Sequence, residues 1–301
     1  MTHPVLIVGS VALDTVKTQQ AEHADLLGGS ASYASVAASF FAPVRMVGVV
    51  GDDFPVIYRD LFQKRNIDLA GLETAAGKTF RWSGEYEIDM NNRRTLSVEL
   101  NVFEKFEPKL PAAFQKTEYV LLANIAPSLQ SRVLDQMAKP KFVVADTMDL
   151  WINVARPDLL ALIKRVDMLI LNDSEAKLLT EQVNLITAGR KIQALGPRYV
   201  VVKKGEHGAL LFGPDEFFST SAFPLESVFD PTGAGDCFAG ALMGTVASTG
   251  DYSFNGLKRA VVQGSLVASF NVEQFSLKRL ETLSLEEIVQ RRSAFDKIIG
   301  L

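Results

Sequence analysis

The segment Phe229 to Gly244, FDPTGAGDCFAGALMG, constrains this chain more than any other. Gly233 and Gly235 permit backbone turns that side-chain-bearing residues resist, and Pro231 keeps the residues before it extended. From Asp236 onward Phe238, Leu242 and Val246 recur every four residues among Ala239, Gly240, Ala241 and Gly244, which predicts a closely packed helix. A glycine-bearing loop entering a helix leaves peptide N–H groups without internal partners at the positive end of the helix dipole, so the pattern predicts an anion site. Asp236 admits two readings. It is either an ordinary first-turn cap or a carboxylate placed to take a proton from a hydroxyl that attacks the bound anion.

The rest of the chain reads as α/β. Pro4 to Val8 is continuously apolar, as strands buried on both faces are, Val44 to Val50 reads as a second buried strand, and Asp14 is expected just beyond the carboxyl end of the first. Ligands sit at that end of open α/β sheets, so Asp14 is either an ordinary loop residue or a grip for hydroxyl groups. Gly51, Asp52 and Asp53 read as a turn with a helix cap. From about Thr117, buried strands at Tyr119 to Ala123, Phe142 to Ala145, Met168 to Leu171 and Tyr199 to Val202 alternate with helical patterns such as Leu129 to Met137 and Leu159 to Arg165. Such an order implies parallel strands in a doubly covered sheet. The two final long helices are expected at Phe254 to Asn271 and Ser284 to Ile298.

Between Gly77 and Phe103 the pattern changes to alternation. Phe80, Trp82, Tyr86 and Ile88 share one face, and after a turn at Asn91 and Asn92 so do Leu96, Val98, Leu100 and Val102. This predicts a hairpin whose apolar face covers the core, a second subunit or a ligand, because a lone two-stranded ribbon is marginal.

Composition removes several functions. Lys and Arg number 31 against 35 for Asp and Glu, which gives no basic excess for nucleic acid. No stretch approaches eighteen uninterrupted apolar residues, so no membrane span is expected. No GxGxxG follows the first strand and no GxSxG elbow is present, which disfavours dinucleotide and α/β-hydrolase chemistry. His3, His23 and His207 are too scattered for a His-rich metal site. The single cysteine, Cys237, excludes an internal disulfide, and with no signal-peptide pattern a cytoplasmic location is expected.

The residues DPTGAGDCFAGAL closely resemble the signature of the ribokinase-like (PfkB) family of carbohydrate and nucleoside kinases. The resemblance implies a three-layer α/β sandwich with a mainly parallel central sheet and a small β lid. Residues 1–301 would form a single domain with the lid inserted at about 77–103. It implies transfer of the γ-phosphoryl of ATP to a hydroxyl of a small sugar or sugar derivative. A nucleoside is the alternative acceptor, and a non-catalytic sugar- or nucleotide-binding regulator is a second alternative.

In this reading Asp236 is the base, and the Gly233, Ala234 and Gly235 amides form the anion hole. Asp14 and the stretch Gly28, Gly29 and Ser30 face the acceptor, as does Tyr33, which stands where the family has Asn. Asn172 and Glu175 organise Mg²⁺ through water, although the same pair also reads as a helix cap. Lys203, Gly205 and Gly208 border the nucleotide, with the inward choice between Lys203 and Lys204 open. Asn271 belongs to an adenine-side segment near a loop for a monovalent cation such as K⁺. A homodimer formed through the lid also follows from the resemblance.

Overall fold

The structure, a computed structural model of the full chain, describes residues 2–90 and 92–300. The expected turn residue Asn91 lies outside them. Nine strands form the central sheet: β1 (Val5–Val8), β4 (Val44–Val50), β5 (Ile67–Thr74), β8 (Tyr119–Leu122), β9 (Phe142–Asp146), β10 (Met168–Asn172), β11 (Tyr199–Lys203), β12 (Ala209–Phe212) and β13 (Phe217–Thr220). Their order is β13-β12-β11-β10-β9-β8-β1-β4-β5. Pairing is parallel from β5 through β11, and β12 and β13 join antiparallel at one end of the sheet.

Apolar runs without alternation give this sheet two covered faces. Val5 and Ile7 of β1 enter one core, while Leu6 and Val8 enter the other. Helices Ser30–Ala38, Ala234–Thr249 and Phe254–Asn271 cover the first face, and Arg156–Ile163, Asp173–Thr180 and Leu185–Gln193 cover the second. The last expected helix runs Leu285–Ile298, opened by a capping box between Ser284 and Glu287.

The small sheet is larger than a hairpin. Its strands β2 (Ala12–Lys17), β3 (Glu22–Gly28), β6 (Phe80–Tyr86) and β7 (Arg93–Glu99) lie in the order β3-β2-β6-β7. Asp14 is therefore not in a loop beyond β1. It stands inside β2, paired with Trp82 across a parallel ladder.

Ile88 falls beyond the end of β6 and is exposed, and Val102 falls beyond β7 and packs on the second core. A register shift between Ser83 and Gly84 breaks the ideal alternation in between. Leu96, Val98 and Leu100 remain 50%, 53% and 42% exposed, whereas Val16, Leu26, Tyr86 and Phe275 bury one another nearer the main body.

Asp52 and Asp53 do not cap a helix, as their turn-and-cap reading had it. Asp53 accepts bonds from the Thr79 amide and hydroxyl, both at 2.7 Å, and Asp52 accepts from the Gly77 amide at 3.1 Å, so the two tie the root of β6 to the end of β4.

The small residues after the glycine loop serve helix contact. A Cβ on Gly240 would lie 2.1 Å from the Ala34 carbonyl oxygen and 2.6 Å from its Cα, both backbone atoms that cannot swing away. Alanine's intrinsic helix advantage of about 1 kcal/mol is smaller than the cost of forcing two helix backbones apart. Gly240→Ala is expected to destabilise the chain by about 1–3 kcal/mol in urea unfolding followed by circular dichroism. A neutral or stabilising substitution would show that the helices do not meet at this distance.

Candidate active site

The carboxyl ends of three neighbouring strands carry the polar groups. β9 ends in Asp146, β10 in Asn172 and β11 in Lys203, with Asn172 in register with Lys203. Strand ends of this kind are where α/β sheets present side chains to ligands. Lys203 points inward. Its Nζ lies 3.4 Å from each Asp146 carboxylate oxygen, and both side chains are largely buried. Burial alone would discharge the ammonium, but Asp146, Glu175 and Asp236 outweigh it and hold its pKa above the ordinary lysine value.

The glycine loop lies over this pair. Asp230, fully buried, braces it by accepting from the Thr232 amide with one oxygen and the Ser276 amide with the other, both at 2.9 Å. Asn271, also fully buried, donates to the Thr232 carbonyl at 2.8 Å and accepts from the Cys237 thiol, which places it behind the loop. Gly233 has φ 75°, and a Cβ there would enter the ring of Tyr33. Tyr33 is consequently 1% exposed, packed beneath the loop rather than open to the cleft. A Cβ on Gly235 would lie 2.8 Å from Lys203 Nζ, so the ammonium forms the floor of the loop.

Helix Ala234–Thr249 begins here with no side-chain cap. The Ala234 amide closes the turn on the Pro231 carbonyl at 3.2 Å and so differs from the other two expected donors. Among the described residues the amides of Gly233, Gly235 and Asp236 meet no acceptor. Asp236 stands in the first turn with no hydrogen bond to its carboxylate, so it is not acting as the cap. Burial pushes it up to about 7, the Asp146 charge adds to the rise, and Lys203 and Arg93 oppose it.

Asn172 and Glu175 form the capping box: the Glu175 amide donates to Asn172 Oδ1 at 2.8 Å and the Asn172 amide donates to Glu175 Oε2 at 2.7 Å. The cap reading is thus realised, and it leaves Glu175 Oε1 without a hydrogen bond among the described residues. Burial raises Glu175 to about 7. No group of three or more acidic, His or Cys side chains able to hold a metal occurs among the described residues.

On β2 of the small sheet, Asp14 is 4% exposed, and the nearby Gly29 amide favours its charged form. A Cβ on Gly28 would overlap its carboxylate, and Gly29, at φ 91°, would strike the Ser10 carbonyl. Ser30 is engaged in structure: it bonds Ser10 through side chain and backbone and donates to the Asn124 carbonyl at 3.1 Å. Gly205 (φ 54°) and Gly208 (φ 84°) shape the β11–β12 turn, Gly205 exposed and Gly208 pressed on the Thr220 carbonyl. Asp146, Asp230 and Arg93 went unread in the sequence. The only signal for Asp146 is a carboxylate ending an apolar strand.

Residues 5–282 match the family described as pfkB family carbohydrate kinase. A cytidine kinase of Thermococcus kodakarensis is 28% identical over 246 residues, which are 79% of this chain and 87% of that protein. Among solved structures, a nucleoside kinase of Methanocaldococcus jannaschii superposes with a TM-score of 0.77 at 18% identity, covering 97% of this chain and 98% of that one. A ribokinase of Thermotoga maritima gives 0.77 at 20%, covering 97% and 100%. The chain belongs to the pfkB family of carbohydrate kinases, with the mainly parallel sheet and small second sheet of ribokinase-like structures. It is a sugar or nucleoside kinase, a phosphotransferase whose acceptor is a hydroxyl group.

Asp14 gives this site a measurable signature. Burial, with Asp230 and Asp236 adding, raises it from 3.8 to about 8. The folded chain therefore binds a proton that the unfolded chain releases near pH 4. The stabilisation is full below that pH and is lost as pH rises through about 8. Asp14→Asn is expected to raise the melting temperature at pH 8 by about 2 °C or more, with a smaller gain at pH 5. An equal gain at both pH values would contradict this environment for Asp14.

Proposed function

We propose that the chain transfers the γ-phosphoryl of ATP to a hydroxyl of a sugar or nucleoside, with Asp236 as the general base. The observation that carries this reading is the free Asp236 carboxylate beside the three unpaired amides of Gly233, Gly235 and Asp236. A carboxylate that merely capped the helix would bond one of them. Here the amides are left for an anion and the carboxylate for a proton. A site value of about 7 suits a base that must accept a proton near neutral pH.

The remaining residues divide the work of positioning, which supplies most of the catalysis in phosphoryl transfer. Lys203, charged and 2.8 Å from the space a Gly235 side chain would fill, compensates phosphate charge. Mg²⁺, when bound, neutralises phosphate oxygens. The residues fit indirect support through water, from the free Glu175 Oε1, better than a direct ligand set. Asp14 grips acceptor hydroxyls and holds the attacking one toward Asp236, and the small sheet covers the acceptor from water.

One observation favours a nucleoside over a bare sugar. Trp82 is the ladder partner of Asp14, so the two side chains share a face. Its indole lies over Gly84, where a Cβ would meet the ring at 2.1 Å, and Nε1 donates to Thr95 Oγ1 at 3.2 Å. A fixed aromatic face beside a hydroxyl-binding carboxylate suits a planar base attached to the sugar. The cytidine kinase relative agrees with this choice.

Asp236→Asn is expected to lower kcat by a factor on the order of 10² or more while leaving affinity for an ATP analogue within a few-fold, in steady-state ADP release and calorimetric titration. For the unsubstituted enzyme kcat/KM for the acceptor should fall as pH drops below about 7, where Asp236 gains its proton. Near-normal turnover of the Asn variant would rule Asp236 out as the base.

A further inference from the structure

Two consecutive arginines begin β7, and the pleat sends them to opposite faces. Arg94 is the ladder partner of Glu85 and donates to its carboxylate at 2.7 Å, and Lys17 meets the same carboxylate at 2.9 Å. That outer face is electrically satisfied. Arg93 is the ladder partner of Tyr86, and side chains directly opposite on an antiparallel ladder share a face. The Tyr86 hydroxyl bonds Thr232 Oγ1 at 3.2 Å, inside the glycine loop, so the face that carries Arg93 is the one turned to the anion site. Arg93 is exposed and makes no ion pair among the described residues.

The placement of this free guanidinium is unusual. Its charge is felt at Asp236, on the helix after the loop, and at Glu175, on the helix after β10, and it lowers the proton affinity of both. Arg93 pairs with neither carboxylate, and the bond between Tyr86 and Thr232 turns its face of the small sheet toward the gap beside the glycine loop. That gap is bordered by the unpaired amides of Gly233 and Gly235 and floored by Lys203. A guanidinium offers paired donors that match two oxygens of one phosphate, a geometry no lysine supplies.

We propose that Arg93 is a phosphate-contacting residue carried by the small sheet, which bonds the terminal phosphate of a nucleoside triphosphate in the glycine loop and so couples the position of that sheet to the nucleotide. The proposal rests on the reading of the loop as the nucleotide phosphate site. Its chemical consequence is selective. A diphosphate, which lacks the terminal group, gains nothing from Arg93, whereas a triphosphate gains two charge-assisted bonds. After transfer the contact passes with the phosphoryl group to the product, so the same residue that secures the donor also holds the group while it moves.

The test compares Arg93→Ala, Arg93→Lys and the outer-face control Arg94→Ala with the unsubstituted chain. Calorimetric titration would use Mg²⁺ with ADP and Mg²⁺ with the β,γ-imido analogue of ATP, alongside kcat from ADP release. Arg93→Ala is expected to keep ADP affinity within threefold, to weaken the triphosphate analogue about tenfold or more, and to lower kcat by about 10²-fold. Arg93→Lys should recover only part of each loss, and Arg94→Ala should match the unsubstituted chain within threefold. Equal weakening of ADP and the analogue, or kcat and analogue affinity both within threefold of normal, would overturn the phosphate contact while leaving the loop reading intact. If the unsubstituted chain binds neither nucleotide, the loop reading fails and this proposal falls with it.

Discussion

A lysine buried beneath a glycine loop sets the terms for the whole site. Taking an ammonium out of water costs several kcal/mol unless a partner compensates, and the nearest partner of Lys203 is Asp146, 3.4 Å from its Nζ to each oxygen. That separation is long for a closed ion pair, and Glu175 and Asp236 also lie within its field. One ammonium therefore serves three carboxylates. Burial, with the Asp146 charge adding to it, lifts Glu175 and Asp236 to about 7. Gly235 keeps the arrangement open, since a side chain there would displace the ammonium. Removing either member of the pair would leave the other buried and uncompensated, the costlier form of damage to such a contact.

The loop above is held as firmly as the charge below it. Asp230 and Asn271, both without solvent exposure, fix the Thr232 backbone from two sides, and Tyr86 reaches Thr232 from the small sheet. The small sheet is itself tied down at its root by Asp53 and Thr79. The glycine loop and the small sheet are thereby joined to each other through side-chain contacts. In a transfer that depends on aligning two reactants, such linkage limits relative drift where small displacements are costly.

What the sequence disclosed was local. The loop from Phe229 to Gly235, the helix that follows and the apolar parallel strands are written in neighbouring residues, and the family resemblance ordered them correctly. The small sheet was half legible. β6 and β7 alternate, but β2 and β3 reach their places by pairing β2 with β6, a contact between segments more than sixty residues apart that no periodicity announces. Asp14 was singled out, yet its position inside β2 depended on that pairing. Asp146 went unread because its meaning requires Lys203, fifty-seven positions on. At Asn172 and Glu175 the sequence offered a cap or a metal support, and the structure builds the cap while leaving one oxygen free for the other role. The family resemblance sets Tyr33 toward the acceptor, whereas its ring packs under the loop in the space left by the missing side chain of Gly233.

On the proposed function, the chain moves a phosphoryl group from ATP to an acceptor hydroxyl. The most direct measurement is ³¹P nuclear magnetic resonance of the unsubstituted chain with MgATP and a panel of sugars and nucleosides, cytidine included. A new phosphomonoester resonance is expected that appears only with an acceptor, grows in step with ADP, and is strongest for a nucleoside. ADP formed with inorganic phosphate alone, or no change in ATP with any acceptor, would contradict it.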